Sequence, residues 1–287
     1  MKYQINHTTE YSYEQPVALQ PHIIRLRPRS DNTQILQSFQ LSITPTPIQK
    51  SQSVDLDGNA IAKVWFDKEP TQSLVIHAKS LVETLRDNPF EYLLEPWATH
   101  LPIDYPTTLL TQLHPYLKGQ RPGASELDPV AIQLAQEIWV NAGETPVSFL
   151  SQLNQQIYQG CQYIIRETGA PLPPGITWTQ KSGSCRDFAV LFMETCRAIG
   201  LAARFVSGYQ EGDRDNPERH LHAWVEVYLP GAGWRGYDPT QGLAVADRHI
   251  ALVASAFSAH TAPVSGSISP GGVQSNMNYH LNILPID

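Results

Sequence analysis

Along residues 1–85, apolar and polar positions alternate in short runs separated by turn signals, which is the period of half-buried strands. The runs Tyr3 to Tyr13, His22 to Leu26, Ile35 to Ile43, Ile61 to Phe66 and Leu74 to Val82 predict β-strands. Asp57-Gly58-Asn59, between Val54 and Ile61, predicts a hairpin turn. Prolines at 89, 96, 102, 106, 115 and 122 then break every longer period and predict a connector packed over a surface. A β-rich N-terminal domain with this connector is therefore expected over residues 1–120, and a second domain over 121–287.

In the second half the period lengthens to that of helices. Asp128-Pro129 is an N-cap followed by proline at the first helical position, and Val130, Leu134 and Ile138 recur every four residues. Thr145-Pro146 opens another helix through Phe149, Leu150, Leu153 and Ile157. After a Pro/Gly-rich loop at Ala170 to Gly175, a third amphipathic segment carries Phe188, Phe192, Cys196 and Ile199, with Gly200 as its stop. Strands follow to about Pro239, small residues from Ser255 to Ser275 predict a loop, and Asn278 to Pro285 alternates as a closing strand.

Composition narrows the function classes. Of 287 residues 41% are hydrophobic and 16% charged, the balance of a folded chain, and this length accommodates one large domain or two ordinary ones. A net charge of -7 without any dense basic run argues against nucleic acid or an anionic membrane as partner. Neither a secretory signal nor a membrane-spanning run is present, so a cytoplasmic protein is expected. Three cysteines, Cys161, Cys185 and Cys196, are too few for a disulfide framework and suit reduced thiols.

One of the three stands apart. Ser184 and Asp187 form the Ser-x-x-Asp pattern of a capping box, which makes Cys185 the first residue of its helix. There a thiol meets the positive end of the helix dipole beside Arg186, a setting that favours the nucleophilic thiolate. Its own N–H is an unpaired helix donor, available to an oxyanion. Read alone, the segment also fits a small buried hydrophobe, as Cys196 and Cys161 do.

His220-Leu221-His222-Ala223-Trp224-Val225-Glu226-Val227-Tyr228-Leu229 alternates as a strand, with its odd positions toward a core and His222 facing a cleft or solvent. A turn leads to Trp234-Arg235-Gly236-Tyr237-Asp238-Pro239, a second strand of an antiparallel hairpin. With Leu229 opposite Trp234, Asp238 would fall on the wrong face. His222 and Asp238 meet only through a three-residue loop or a one-residue bulge, and Gly231 and Gly233 permit either. Were they to meet, the carboxylate would orient the imidazole while its other nitrogen served Cys185. The His220-x-His222 pair equally admits a zinc ligand set with Asp238 or Cys185.

Three segments in order, Gly-Ser-Cys-Arg-Asp-Phe-Ala at 183 to 189, His-Ala-Trp-Val-Glu-Val-Tyr-Leu-Pro at 222 to 230 and Gly-Trp-Arg-Gly-Tyr-Asp-Pro-Thr at 233 to 240, resemble the motifs of the bacterial transglutaminase-like superfamily. The resemblance implies an α+β chain whose papain-like core packs a nucleophile helix on an antiparallel sheet and uses Cys185, His222 and Asp238 as its Cys-His-Asp triad. The front of the chain, with Tyr3, His7, Thr8, Tyr11, Tyr13 and the His22 to Pro28 run, resembles the β-rich region preceding such cores. Where those members carry Gly-Arg-Asp-Tyr, this chain has Ala254-Ser255-Ala256-Phe257, a departure that bears on the substrate pocket and leaves the triad intact.

The superfamily includes crosslinking acyltransferases, amide hydrolases and inactive members. The expectation is a cysteine-dependent, protease-like amide hydrolase acting on a peptide or protein amide through a thioester, with no cofactor or metal. The alternatives are a protein-glutamine acyltransferase and a non-enzymatic binding module with a relic triad. Trp178 and Gln180 are candidate second oxyanion donors, and Gln210 to Arg219 a candidate rim loop.

Overall fold

The computed structural model describes residues 1–119, 127–166, 168–212 and 220–286. The expected N-terminal strands form: β1 (Lys2–Leu19), β2 (His22–Ile24), β3 (Gln34–Thr44), β5 (Ala60–Trp65) and β6 (Thr71–Thr84), with β4 (Gln49–Val54) added before the hairpin. β4 escapes the pattern because all six of its residues are exposed, so no apolar face marks it. Its turn into β5 is held by the Asp55 side chain, which accepts from the backbone N–H groups of Asp57 and Asn59. Gly58 takes the left-handed φ of 79° there.

Helices dominate next: α1 (Thr107–Leu113), α2 (Pro129–Ala142), α3 (Pro146–Gly160), the short strand β7 (Gln162–Tyr163), α4 (Pro174–Gln180), β8 (Ser182–Gly183) and α5 (Cys185–Ala198). Asp128 and Thr145 cap α2 and α3 as the sequence predicts. α1 lies in the stretch expected to be connector, and α4 begins in the last two residues of the expected Ala170 to Gly175 loop and runs past it, each being seven residues long. The proline that breaks a longer helix is also tolerated at a helix start, and both begin at or next to one.

The remaining strands are β9 (Ala203–Gln210), β10 (Leu221–Leu229), β11 (Gly233–Asp238), β12 (Leu243–Ala244), β13 (His249–Ser255), β14 (Val264–Ser265), β15 (Ile268–Ser269) and β16 (Ser275–Ile286). The central antiparallel sheet has the order β12-β11-β10-β9-β13. α5 packs on its odd-numbered face, where Phe188, Phe192 and Cys196 share one core with Phe205, Ala223, Val225 and Val227. Each large apolar side chain buried there contributes about 1.5–3 kcal/mol. The helix is buried on nearly all sides, beyond the single stripe predicted, because α2 and α4 cover its other faces. Its polar Arg197 is accommodated by donating to the carbonyls of Ala203, Ala256 and Lys118.

The chain then returns to its start. β16 pairs with β1 over twelve positions, from Lys2 opposite Ile286 to Tyr13 opposite Ser275, while β15 joins β1 and β14 joins β2. Residues from Val264 on, grouped by the sequence reading with the second domain, thus complete the N-terminal sheets.

The N-terminal domain also grips the central sheet. β13 pairs with β9 on one side only. On its other side the Gln34 amide exchanges two hydrogen bonds with the backbone of Ala251 (3.0 and 2.8 Å), and the Asn59 amide does the same with Ala254 (2.8 and 2.9 Å). With the Arg29 backbone N–H, which also donates to the Ala251 carbonyl (2.9 Å), these two side-chain amides act as a substitute strand along the β13 edge.

Candidate active site

The β10–β11 turn settles the geometry of the hairpin. Leu229 pairs with Gly233 and Val225 with Tyr237, so Pro230, Gly231 and Ala232 form a three-residue loop. Gly231 has φ 88° and lies so close to Leu93 and Glu95 that a Cβ would meet backbone at 2.6 Å. With this register Asp238 falls on the even-numbered face, and His222 Nε2 bonds to Asp238 Oδ2 at 2.7 Å. The three-residue alternative is the one realised. The Cys185 side chain neighbours His222 closely enough to raise its pKa, and with Nε2 engaged by Asp238, Nδ1 is the ring nitrogen left to serve the thiol.

Cys185 is the first residue of α5, as the capping pattern predicts. The fully buried Asp187 carboxylate builds this corner: Oδ2 accepts from the Ser184 N–H (2.8 Å) and hydroxyl (2.7 Å), Oδ1 from Leu172 N (2.7 Å) and Arg166 (2.5 Å). One side chain thereby fixes the helix start, the loop before α4 and the residues after β7.

A second histidine, unforeseen in the sequence, completes the cluster. His249 Nε2 lies 3.0 Å from the same Asp238 oxygen, while Asp238 Oδ1 accepts from Thr240 N at 2.9 Å. Asp238 is wholly buried. Burial alone would raise its pKa, but the charge and hydrogen bonds of His222 and His249 hold the carboxyl far below the usual range. For His222, burial pulls down, while the Asp238 charge and hydrogen bond and the Cys185 side chain pull up, and the net is a rise to about 10. Beneath both imidazoles lies Trp224, T-shaped to His249 at 5.3 Å. Its indole crosses Gly208, where a Cβ would meet the ring at 2.6 Å.

Among the described residues, His222, Asp238 and His249 are the metal-type donors that converge, within 4.8 Å of one another. His220, the other half of the zinc alternative, turns instead to the Tyr279 hydroxyl. A cleft of about 430 Å³ opens over Cys185 and His222. Neither Trp178 nor Gln180 lines it, whereas Tyr163, beside Gly183 in the β7–β8 pair, does. Nor does Ala254-Ser255-Ala256-Phe257 line it: this segment ends β13 and leads out of it, with its first three residues buried. Most of the proposed rim loop, residues 213–219, lies outside the described residues. Cys196 is fully buried, and burial pushes its thiol pKa up, as it does for Cys161.

Residues 132–239 match the transglutaminase-like superfamily, and residues 3–83 match the bacterial transglutaminase-like N-terminal region. This chain belongs to the transglutaminase-like superfamily. Cys185, His222 and Asp238 all lie inside the matched core, and His249 lies beyond it. An uncharacterized protein of Mycobacterium tuberculosis is 28% identical over 304 residues, covering 100% of this chain and 93% of its own. A crystal structure from Cytophaga hutchinsonii, provisionally described as a cysteine protease, shares the fold with a TM-score of 0.74 at 21% identity, covering 100% of this chain and 92% of that one. A protein-glutamine gamma-glutamyltransferase of Pseudomonas aeruginosa is 32% identical over 127 residues, which is 41% of this chain and 19% of that protein. Among the described residues no helix is long and apolar enough to cross a membrane.

Proposed function

We propose that this superfamily member is a cysteine-dependent amide hydrolase with Cys185 as nucleophile, His222 as acid and base, and Asp238 as the group that orients the imidazole. The observation that carries this reading is a buried carboxylate hydrogen-bonded to an imidazole that lines the same open cleft as a thiol at a helix N-terminus. The Cys185 sulfur attacks the amide carbonyl with its proton on His222 Nδ1, where the raised imidazole pKa of about 10 holds it. The oxyanion is held at the start of α5, where backbone N–H groups are free of helical partners. His222 then protonates the departing amine, and the thioester remains. Water, deprotonated by the now neutral His222, attacks the thioester and releases the acid and the thiol.

Hydrolysis is favoured over transfer to lysine because the described lining of the cleft is mostly apolar and its charged groups, Arg166 and Arg186, repel an ammonium group. The similarity to part of a glutamyltransferase supports the second reading, acyl transfer. One experiment separates them. The enzyme is given a glutamine-containing or amide peptide with millimolar labelled primary amine, and acid release is compared with amine incorporation by mass spectrometry. Predominant release is expected. Predominant incorporation would overturn the hydrolase reading and retain the triad, and absence of both, together with a Cys185 inert to iodoacetamide, would overturn the enzyme.

A further inference from the structure

One wall of the cleft comes from outside the transglutaminase-like core. Thr9 and Tyr11 of β1 and Met277 and Tyr279 of β16 line the same cavity as Cys185 and His222. They are two cross-strand pairs, Thr9 opposite Tyr279 and Tyr11 opposite Met277, and alternation by two places them on one face of the sheet. Further along, that face carries Ile5, Leu281 and Ile283, which are buried in the N-terminal core. Tyr11 and Tyr279 pack at the margin of that core, and with Met277 they are half-buried and border the open cleft, while the intervening Asn276, Asn278 and His280 are exposed. The wall is fastened close to the nucleophile: the Tyr279 hydroxyl bonds to His220, two residues before His222.

The wall's chemistry is uncharged. Among the described residues the charged side chains lining the cleft, histidines apart, are Arg166 and Arg186. Arg166 is bound to Asp187 and to the carbonyls of Thr168 and Ala170, and Arg186 to those of Gly169 and Arg166. Both guanidinium groups are thus tied into the loop before α4. A cavity of about 430 Å³ lies within the usual range for ligand pockets. What remains to select a substrate is mostly apolar surface, to which this wall adds its aromatic and thioether groups.

We propose that the N-terminal β-domain forms a substrate subsite beside Cys185, and that this subsite takes an apolar or aromatic side chain next to the scissile amide. The inference rests on the nucleophile reading above and adds a substrate class to it. It makes the N-terminal domain part of the active site, with Tyr11 and Met277 as specificity-determining residues.

Peptidyl chloromethyl ketones test this without requiring turnover, since the Cys185 sulfur displaces chloride whether the enzyme hydrolyses or transfers. Inactivation rates are measured for ketones that differ only in a Leu, Phe, Ala, Asp or Lys side chain next to the reactive carbonyl. Iodoacetamide, too small to reach the wall, reports the thiol alone. The wild type is expected to react about tenfold faster with the Leu and Phe reagents than with the others, the effect of burying a side chain of that size. Tyr11→Ala and Met277→Ala should erase that preference at an unchanged iodoacetamide rate, and Met277→Glu should favour Lys over Asp. A wild-type preference for a charged side chain, or a ranking that none of the three variants alters, would overturn the proposal and leave the nucleophile standing. Failure of iodoacetamide to label Cys185 would remove both.

Discussion

Replacing Asp238 by asparagine keeps the shape of the proposed triad's acid and reverses what half of it can do. The Asp238 oxygen Oδ2 accepts from two ring nitrogens, His222 Nε2 at 2.7 Å and His249 Nε2 at 3.0 Å, and Oδ1 accepts from Thr240 N at 2.9 Å. If the asparagine carbonyl keeps Thr240, its NH₂ group stands where Oδ2 stood and faces two N–H donors. Relief requires each imidazole to move its proton to Nδ1. For His222 that aims an N–H at Cys185 and removes the acceptor for the thiol proton. For His249 it puts a proton on an Nδ1 that is buried without a partner. Two charge-assisted hydrogen bonds at about 1.5–3 kcal/mol each are weakened or lost, so unfolding in urea should show roughly 2–5 kcal/mol less stability. That is a large part of the total for a domain but not all of it. On a peptide amide that the wild type cleaves, kcat should fall by about 10²–10⁴, with a measurable residue from the oxyanion donors and binding. A kcat within threefold of wild type, in a folded Asp238→Asn enzyme, would refute the assignment of Asp238 as the orienting group.

The remaining predictions concern the thiols, pH and packing. Iodoacetamide on the folded protein should label Cys185 in preference to Cys196, which is fully buried, and peptide mapping reads the result directly. The folded-state pKa of His222 is raised to about 10, so its contribution to stability should be complete below about pH 6.5 and decline as pH rises toward 10. Urea midpoints across that window should fall in the wild type and stay flatter in His222→Gln, and parallel curves would exclude a raised His222. Asn59→Leu leaves the N–H and C=O of Ala254 without their partners and should lower stability by about 2–4 kcal/mol in thermal unfolding, whereas a change under about 0.5 kcal/mol would show that the β13 edge does not depend on the N-terminal domain. Gly208→Ala drives a methyl group against the Ile250 carbonyl and the Trp224 ring (2.6 Å) and should cost about 3 kcal/mol or more and disturb both imidazoles, seen as lost Cys185 alkylation and a lower melting temperature.

Local chemistry made the helix-start position of Cys185, the proposed nucleophile, legible before any fold was known. A capping box defines its own helix start within four residues, so Ser184 and Asp187 place Cys185 at the first turn without reference to the rest of the chain. The caps of α2 and α3 and the alternation of β1, β3, β5 and β6 are short-range signals of the same kind, written in hydrophobic period and turn residues. The hairpin stood between. Sequence reduced the meeting of His222 and Asp238 to a choice of loop length, and the choice fell to packing of Gly231 against Leu93 and Glu95, more than a hundred residues away.

What only the tertiary structure decided involves groups whose signals are silent locally. β13 is buried along its whole length, and a continuous apolar run such as Ile250 to Ala254 has no period to separate strand from helix or loop. Its first residue, His249, therefore gives no sign that it will share an oxygen with Asp238. The polar Gln34 and Asn59 look like surface residues until β13 brings a strand edge to them, and Thr9, Tyr11, Met277 and Tyr279 alternate like any core strand, with nothing local to mark that their face also borders the cleft. In each case the sequence determined which face a side chain takes, because period and capping act within a few residues. What that face meets depends on contacts between segments far apart in the chain, and those exist only once both domains have folded against the same sheet.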